Sequence, residues 1–279
     1  MKKGTIVLTG GGTAGHVMVN IYLEKELKKH FSKIVYIGSE NGIEKDLIKS
    51  KTSYEYVSIP TVRFERKKLL KSLFIPLKLL HCVSKAKAAL KSINPDVIFS
   101  KGGYVGLPVV IAGKKLGIKS ICHESDITMG LANKLAKKYA NVICTSFEIT
   151  AAQNGKKCRH TCMPLPLSPL SKSEAKQKLN IPKSKPCLLV TGGSMGAKSL
   201  NEFVFNNIDE LTKDYYVVHL VGKGNSNKNI TSSNYRQIEF ENDMWTLFRA
   251  TDFAISRAGA NTIIELFANQ ILTIFVPLP

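Results

Sequence analysis

Two glycine-rich turns, each directly after a short apolar run, constrain this chain more than any other feature. The first run is Thr5-Ile6-Val7-Leu8-Thr9, followed by Gly10-Gly11-Gly12-Thr13-Ala14-Gly15-His16. The second is Cys187-Leu188-Leu189-Val190-Thr191, followed by Gly192-Gly193-Ser194-Met195-Gly196. Each turn leads into a segment with helical periodicity. A turn without side chains at a helix start bares backbone N–H groups, and the helix dipole adds partial positive charge, so such a turn receives an anion. Two of them, one per half of 279 residues, predict two Rossmann-like domains facing each other across a cleft, each gripping phosphate.

Between the turns, short apolar runs alternate with amphipathic stretches. Strand-like runs lie at 6–9, 34–37, 54–59, 97–100, 120–123 and 142–145, and helical stretches include 17–30 and 107–116. This alternation predicts βαβ units and a doubly wound parallel sheet, an α/β fold. Met163-Pro164-Leu165-Pro166-Leu167-Ser168-Pro169 interrupts it. Three prolines in seven residues make a stiff connector, which gives domains over 1–162 and 163–279. The alternation resumes with a short helix at 172–179 and apolar runs at 187–191, 216–221, 253–256 and 271–276. Helix-like segments fall at 243–250 and 262–269. Ligands of open α/β sheets bind beyond the carboxyl ends of strands. The sequence stops just after such a strand, so the second domain is expected to be incomplete.

The chain carries 40 Lys and Arg against 21 Asp and Glu, a formal charge of +19. This balance favours an anionic partner such as nucleic acid, an anionic membrane surface or a polyphosphate; a solvated basic exterior gives the same count. Arg63, Arg66, Lys67, Lys68, Lys71, Lys78, Lys85, Lys87 and Lys91 stand against a single acid, Glu65, with Phe64, Leu69, Leu70, Leu73 and Phe74 interleaved. Such a stretch suits either an anionic bilayer or a core helix with a basic outer face. No recognition-helix or RNA-binding pattern accompanies these lysines, so nucleic acid is not expected. The six cysteines contain no Cys-x-x-Cys, and several sit in apolar runs, as buried thiols of a reducing compartment do. Cys158, His160 and Cys162 lie close together, but nothing completes a four-ligand zinc site. Met1-Lys2-Lys3-Gly4 enters a short strand and reads neither as a signal peptide nor as a membrane span. A cytoplasmic protein is expected, with room for peripheral membrane association.

Other polar groups gather where strands end. Gly10-x-Gly12-x-x-Gly15 formally matches the dinucleotide fingerprint, and Glu40 stands about where a ribose-binding acid would. His16 is foreign to that fingerprint; at a helix start it can act as general base, bind phosphate or simply face solvent. Lys101-Gly102-Gly103-Tyr104 is a third glycine turn. His123-Glu124-Ser125-Asp126 follows another strand, and Asp126 either faces the cleft or caps a helix over 128–138. Ser256-Arg257-Ala258-Gly259-Ala260-Asn261-Thr262 repeats the strand, small-residue turn, helix pattern. There Arg257 can pair with a diphosphate. Glu265, one turn into the helix, can accept both hydroxyls of a ribose or merely favour a helix N-terminus.

Together these motifs resemble the MurG family, the UDP-N-acetylglucosamine:lipid I N-acetylglucosaminyltransferases of peptidoglycan synthesis. The matching runs, in order, are Gly11–His16, Lys101–Val105, His123–Asp126 with Gly130-Leu131-Ala132-Asn133-Lys134, Gly192–Ala197, Arg257–Ala260, Glu265 and Phe275-Val276-Pro277. The resemblance implies a GT-B fold, with an N-terminal acceptor-binding domain and a C-terminal domain for UDP-N-acetylglucosamine. It implies that Ser194, Met195 and Gly196 lie near the donor diphosphate, with Arg257, Gly259, Ala260, Asn261 and Thr262 nearby and Glu265 on the ribose. Thr13, Ala14 and Gly15 would approach the donor sugar, and Gly103, Tyr104, Glu124 and Asp126 would contact substrate. His16 would be the base that deprotonates the C4 hydroxyl of the undecaprenyl-linked acceptor, lipid I, for an inverting transfer. The implied partners are the donor, lipid I and the anionic cytoplasmic face of the cell membrane, without nucleic acid. No Asp-x-Asp occurs, so neither a catalytic metal nor a cofactor is called for. Two positions depart from the family: Pro166 replaces an arginine expected near the donor phosphates, and Asp126 replaces a common asparagine. The alternatives are a related glycolipid-forming transferase and a non-catalytic fragment that binds membrane or partners.

Overall fold

The computed structural model describes residues 4–62, 75–166, 168–193 and 195–277. Ser194 and most of the basic stretch, 63–74, lie outside the described residues. The chain divides into two compact units, Met1–Pro164 and Leu165–Pro279.

In the first unit seven strands form one sheet: β1 (Gly4–Thr9), β2 (Phe31–Ser39), β3 (Glu55–Ile59), β4 (Val97–Ser100), β5 (Lys119–Glu124), β6 (Val142–Thr145) and β7 (Cys158–His160). Their order is β3-β2-β1-β4-β5-β6-β7, and every pair is parallel. Among the described residues these helices connect them: α1 (Ala14–Tyr22), α2 (Glu24–His30), α3 (Ile43–Lys51), α4 (Ile75–Ile93), α5 (Gly103–Lys115), α6 (Leu131–Ala136) and α7 (Glu148–Asn154). A parallel sheet covered on both faces needs apolar residues at every strand position, because alternate side chains serve opposite cores. In β1, Val7 joins one core with Ile37, Ile98, Val110 and Ile143, while Ile6 and Leu8 join the other with Tyr36 and Ile48.

The second unit repeats the scheme with β8 (Cys187–Thr191), β9 (Tyr216–Leu220), β10 (Tyr235–Ile238), β11 (Phe253–Arg257) and β12 (Leu272–Val276) in the order β10-β9-β8-β11-β12. All four pairings are parallel. Helices α8 (Lys172–Lys178), α9 (Lys198–Asn206), α10 (Ile208–Asp214), α11 (Met244–Ala250) and α12 (Ala260–Ala268) accompany them. Leu188, Val190, Leu200, Val204, Val217 and Tyr235 form a shared core. On the edge strand β12, Leu272 and Ile274 are 72% and 66% exposed.

Strand order reverses between β1 and β4 in one sheet and between β8 and β11 in the other. These are the switch points at which open α/β sheets bind ligands, and both long glycine turns sit on them.

Several elements differ from their sequence reading. The stretch 17–30 is two helices, α1 and α2, meeting at Leu23. The expected helix over 128–138 begins later, at Leu131, with Gly130 at its N-cap, so Asp126 caps nothing there. Strands β7 and β10 lack the apolar runs that mark a strand; Tyr235-Arg236-Gln237-Ile238 is held on the sheet by its pairing with β9. The described part of the basic stretch is α4, which buries Cys82, Val83, Ala86 and Leu90 and leaves Leu77 and Leu80 exposed. No helix among the described residues is long and apolar enough to cross a membrane.

Candidate active site

At the first switch point the turns after β1 and β4 meet backbone to backbone. A Cβ on Gly103, whose φ is 75°, would lie 2.5 Å from the Gly11 carbonyl oxygen. Only glycine tolerates both that φ and that approach. The first turn is also held from below. The Tyr36 hydroxyl donates to the Gly10 carbonyl at 2.7 Å, and the buried Glu44 carboxylate accepts from Ser39 N–H at 3.1 Å and from Gly12 N–H at 3.5 Å. The turn is therefore braced by the fold before any ligand arrives.

Thr13 is the N-cap of α1, but its side chain does not cap the helix. Its hydroxyl lies 3.0 Å from His16 Nδ1. With Nδ1–H donating to that hydroxyl, the other ring nitrogen, Nε2, keeps its lone pair for an incoming proton. Burial, then the charge of Lys101, hold His16 down to about 4, against the opposing pull of Glu124 and the Gly11 carbonyl. The imidazole is neutral at pH 7. Ala14 and Gly15 occupy the first turn of α1 beside it. Gly103 and Tyr104 open α5, and Tyr104 packs against Gly12.

The loop after β5 uses its polar residues unevenly. Glu124 accepts from Asp126 N–H at 3.0 Å, Gly130 N–H at 2.9 Å and Asn133 Nδ2 at 3.0 Å. It is spent on shaping its own loop, a structural job the sequence did not suggest. Burial, then the nearby Glu124, raise the Asp126 carboxyl, with Lys101 opposing. His123 is buried; its Nε2–H donates to the Cys162 carbonyl at 3.0 Å and its Nδ1 has no partner among the described residues. Burial, then the charge of Lys101, press His123 to about 4. Cys162 Sγ lies 3.6 Å from His160 Nε2. No group of three or more potential metal ligands converges among the described residues.

At the second switch point the turn after β8 rests on the turn after β9. A Cβ on Gly196 would fall 2.0 Å from the Val221 carbonyl oxygen, while Gly193, with a φ of 84°, has open space around it. The Val221 carbonyl also accepts from Asn201 Nδ2 at 2.9 Å. Asn201 Oδ1 in turn accepts from His219 Nε2–H at 3.0 Å, and His219 Nδ1 accepts from the Tyr235 hydroxyl at 2.9 Å. This neutral chain runs from β10 to the turn, and burial holds His219 at about 4. Met195 projects into solvent, 84% exposed.

Arg257, at the end of β11, donates through Nη2 to Ser199 Oγ at 2.7 Å and through Nη1 to the Pro277 carbonyl. Gly259 is the N-cap of α12, with Ala260, Asn261 and Thr262 in its first turn. The half-buried Glu265 carboxyl is pushed up to about 7 by burial. Sequence reasoning named the turns and the acids but gave no role of their own to Lys101 and Asn133, which it met only inside motifs, and passed over Glu44 and His219. A lysine or asparagine beside a turn ordinarily reads as solvated, and only the fold shows these to be buried.

Two parallel-sheet α/β domains with anion-type turns at both switch points define the GT-B class of glycosyltransferases. Residues 6–145 match the glycosyltransferase family 28 N-terminal domain, and residues 187–279 match the family 28 C-terminal domain. A Clostridium perfringens protein named UDP-N-acetylglucosamine–N-acetylmuramyl-(pentapeptide) pyrophosphoryl-undecaprenol N-acetylglucosamine transferase is 41% identical over all of this chain and 79% of its own length. A Clostridium botulinum protein of the same name is 42% identical over the same shares. The crystal structure of Acinetobacter baumannii MurG superposes with a TM-score of 0.72 at 25% identity, covering 99% of this chain and 78% of that one. The kitacinnamycin glycosyltransferase, at a TM-score of 0.74 and 13% identity, covers 100% and 82% and shares the fold. The chain belongs to the MurG family of glycosyltransferase family 28.

Proposed function

We propose that this chain transfers N-acetylglucosamine from UDP-N-acetylglucosamine to the C4 hydroxyl of lipid I, giving lipid II, with inversion at the anomeric carbon. The observation that carries the reading is the 41% identity maintained along the entire chain to a relative named for that transfer. In this reading the first unit binds the acceptor and the second the donor. The acceptor diphosphate takes the N–H groups of the turns at 10–16 and 102–105, with Asp126 at the same end of the sheet. Thr13, Ala14 and Gly15 face the donor sugar. His16, oriented through Thr13, takes the C4 proton as oxygen attacks, a contribution of about 10²–10⁴-fold. The donor diphosphate lies on the turn of Ser194, Met195 and Gly196, and its ribose on Glu265, with Gly259, Ala260, Asn261 and Thr262 around the α12 start. A carboxyl that titrates near 7 can both accept from and donate to ribose hydroxyls. As the glycosidic bond breaks, the turn N–H groups and the α9 dipole stabilise the departing UDP. Arg257 supports this end of the sheet, held by Ser199 and Pro277. The exposed Leu77 and Leu80 beside Lys78 support work at the cytoplasmic face of an anionic membrane, where the lipid acceptor resides.

The test is transfer of label from radiolabelled UDP-N-acetylglucosamine to a lipid I analogue, with His16→Ala alongside. Wild-type transfer that falls by two orders of magnitude or more in His16→Ala is expected. Transfer untouched by the substitution removes His16 from the chemistry, and no transfer by the folded chain overturns the reading.

A further inference from the structure

The second unit buries three polar side chains where apolar ones would pack without a polar cost. His219 follows Val217 and Val218 in β9 and is fully buried; Asn201 of α9 and Tyr235 of β10 are buried beside it. Burying an imidazole, an amide and a hydroxyl is costly unless their hydrogen bonds are met. They meet one another, at 2.9 and 3.0 Å, and the chain ends on backbone, where Asn201 Nδ2 donates to the Val221 carbonyl at 2.9 Å. Phe205 stands edge-on to the imidazole, with ring centroids 5.5 Å apart.

The carbonyl end sets the polarity of the whole chain. A carbonyl only accepts, so the Asn201 amide turns its nitrogen to Val221 and its oxygen to His219. That oxygen needs a donor, which makes His219 the Nε2–H tautomer and leaves Nδ1 to accept from the Tyr235 hydroxyl. Successive dipoles then point the same way and strengthen one another. Without the hydroxyl, a buried acceptor is left bare and the ring is held from one side only.

What the Val221 carbonyl supports is the donor turn. Gly222 shares its peptide with Val221 and has a φ of 85°; a Cβ on it would come within 2.5 Å of the Gly196 nitrogen. Glycine populates several backbone regions equally well, so this peptide does not fix its own direction. Its donors do. Among the described residues these are Asn201 and the exposed Asn225, whose Nδ2 reaches the Val221 carbonyl at 3.1 Å and the Met195 carbonyl at 3.3 Å. Asn201 is the buried one of the two, and its orientation comes from His219.

We infer that His219 and Tyr235 are positioning residues for the donor: by holding Asn201 they fix the direction of the Val221 carbonyl, and with it the Met195–Gly196 backbone of the turn that receives the donor diphosphate. They act from β9 and β10, one and two strands away from the β8 that carries the turn, and touch no reacting atom. The inference deepens the proposed function and rests on it in one respect, that the donor diphosphate lies on this turn.

The experiment is calorimetric titration of UDP into the full chain, with KM measured for both substrates, each variant held well below its own thermal midpoint. His219→Leu keeps the bulk and removes both ring nitrogens. Its Kd for UDP is expected to rise about tenfold, with KM for UDP-N-acetylglucosamine rising alike and KM for the lipid I analogue unchanged. Tyr235→Phe, which removes one hydroxyl, should raise the Kd about threefold. His219→Gln keeps an amide able to donate to Asn201 Oδ1 and should recover most of the affinity, which a general loosening of the core would not allow. Nitrogen-15 spectra of the wild-type rings should show the Nε2–H tautomer for the signal that His219→Gln removes. Should His219→Leu fail to fold by circular dichroism, Tyr235→Phe decides. UDP affinity unchanged in the folded variants, an equal rise in both KM values, or an Nδ1–H tautomer overturns the inference alone. A folded wild-type chain that binds no UDP overturns the donor site and the inference together.

Discussion

The two switch points share a topology and differ in how their turns are held. In the first unit the glycine turns rest on buried ionisable groups: Glu44 under Gly12, Lys101 under Gly10, and Glu124 bracing the loop beside them. In the second unit the equivalent turn rests on backbone and on a neutral relay, Val221, Asn201, His219 and Tyr235. A fixed neutral support suits a site that holds one nucleotide in one pose. Buried charges respond to whatever anion or proton arrives, which suits a site where a hydroxyl must be activated on binding.

The sharpest way to break this comparison is through the glycines. Gly103→Ala drives a methyl into the Gly11 carbonyl and Gly196→Ala into the Val221 carbonyl, both at positive φ. Each should cost on the order of 3 kcal/mol in thermal or denaturant unfolding. Gly193→Ala has the same sign of φ but open space, so the conformational penalty alone, about 1 kcal/mol, should remain. Equal losses at 193 and 196 would show that φ, not the facing turn, governs that site.

Next in size is Glu265→Gln, which removes the carboxylate form but not the shape. UDP affinity, by calorimetry, should fall about tenfold, roughly 1.4 kcal/mol, for lost charged hydrogen bonds. An unchanged Kd would take the ribose away from Glu265.

Acid should separate the units. His16 and His123 titrate at about 4 when folded, below their unfolded value of 6.5. The unfolded chain then takes up protons first, and stability is lost as pH falls from 6.5 towards 4. In the second unit His219 acts in the same sense, but Glu265 opposes it. Its carboxyl, raised to about 7 from 4.5, holds a proton in the folded state that the unfolded chain has released, so stability is gained as pH falls through that window. The lysine-paired Asp243 and Asp252, both lowered, lose their contribution only below it. The chain has one tryptophan, Trp245, buried in the second unit, so its fluorescence reports that unit alone. Between pH 6.5 and 4.5 the whole-chain circular dichroism midpoint, to which both units contribute, should fall further than the Trp245 midpoint, which reports the second unit alone. Equal falls would erase the difference.

The smallest effect contrasts two N-caps. Ser171 accepts from Glu174 N–H in a full capping box on α8, so Ser171→Ala should cost about 1 kcal/mol in stability and nothing in transfer. Thr13→Ala removes no cap and should leave stability nearly unchanged, yet slow transfer several-fold by freeing His16 to take the wrong tautomer.

Much of this plan is legible in the residues. Apolar runs followed by glycine turns marked β1, β4 and β8, because a parallel sheet buried on two faces needs apolar residues along its strands, and the strand order then sets the long turns at the switch points. Strand β10 escaped, since Tyr235-Arg236-Gln237-Ile238 owes its state to the neighbouring strand rather than to its own pattern. The site was legible as a set of turns and illegible as a set of supports. His16 stands in a motif; Lys101 and His219 matter because residues far along the chain enclose them, and no local spacing announces that. Glu124 was misleading for the same reason: its three N–H partners come from a loop whose path only the fold reveals.

Strand β1 carries a consequence for biosynthesis. It is made before every other strand of its sheet, yet it lies in the middle of that sheet, between β2 and β4, and Thr5 N–H is met by the Asp96 carboxylate 91 residues later. At a ribosomal pace of roughly 5–20 residues per second, β1 waits about 5–20 seconds for that partner. During this interval Ile6, Val7 and Leu8 have one strand neighbour at most and an open edge beside it. The stretch from β1 to β4 is thus made with an open sheet edge, and the first glycine turn is shaped only when β4 has left the ribosome.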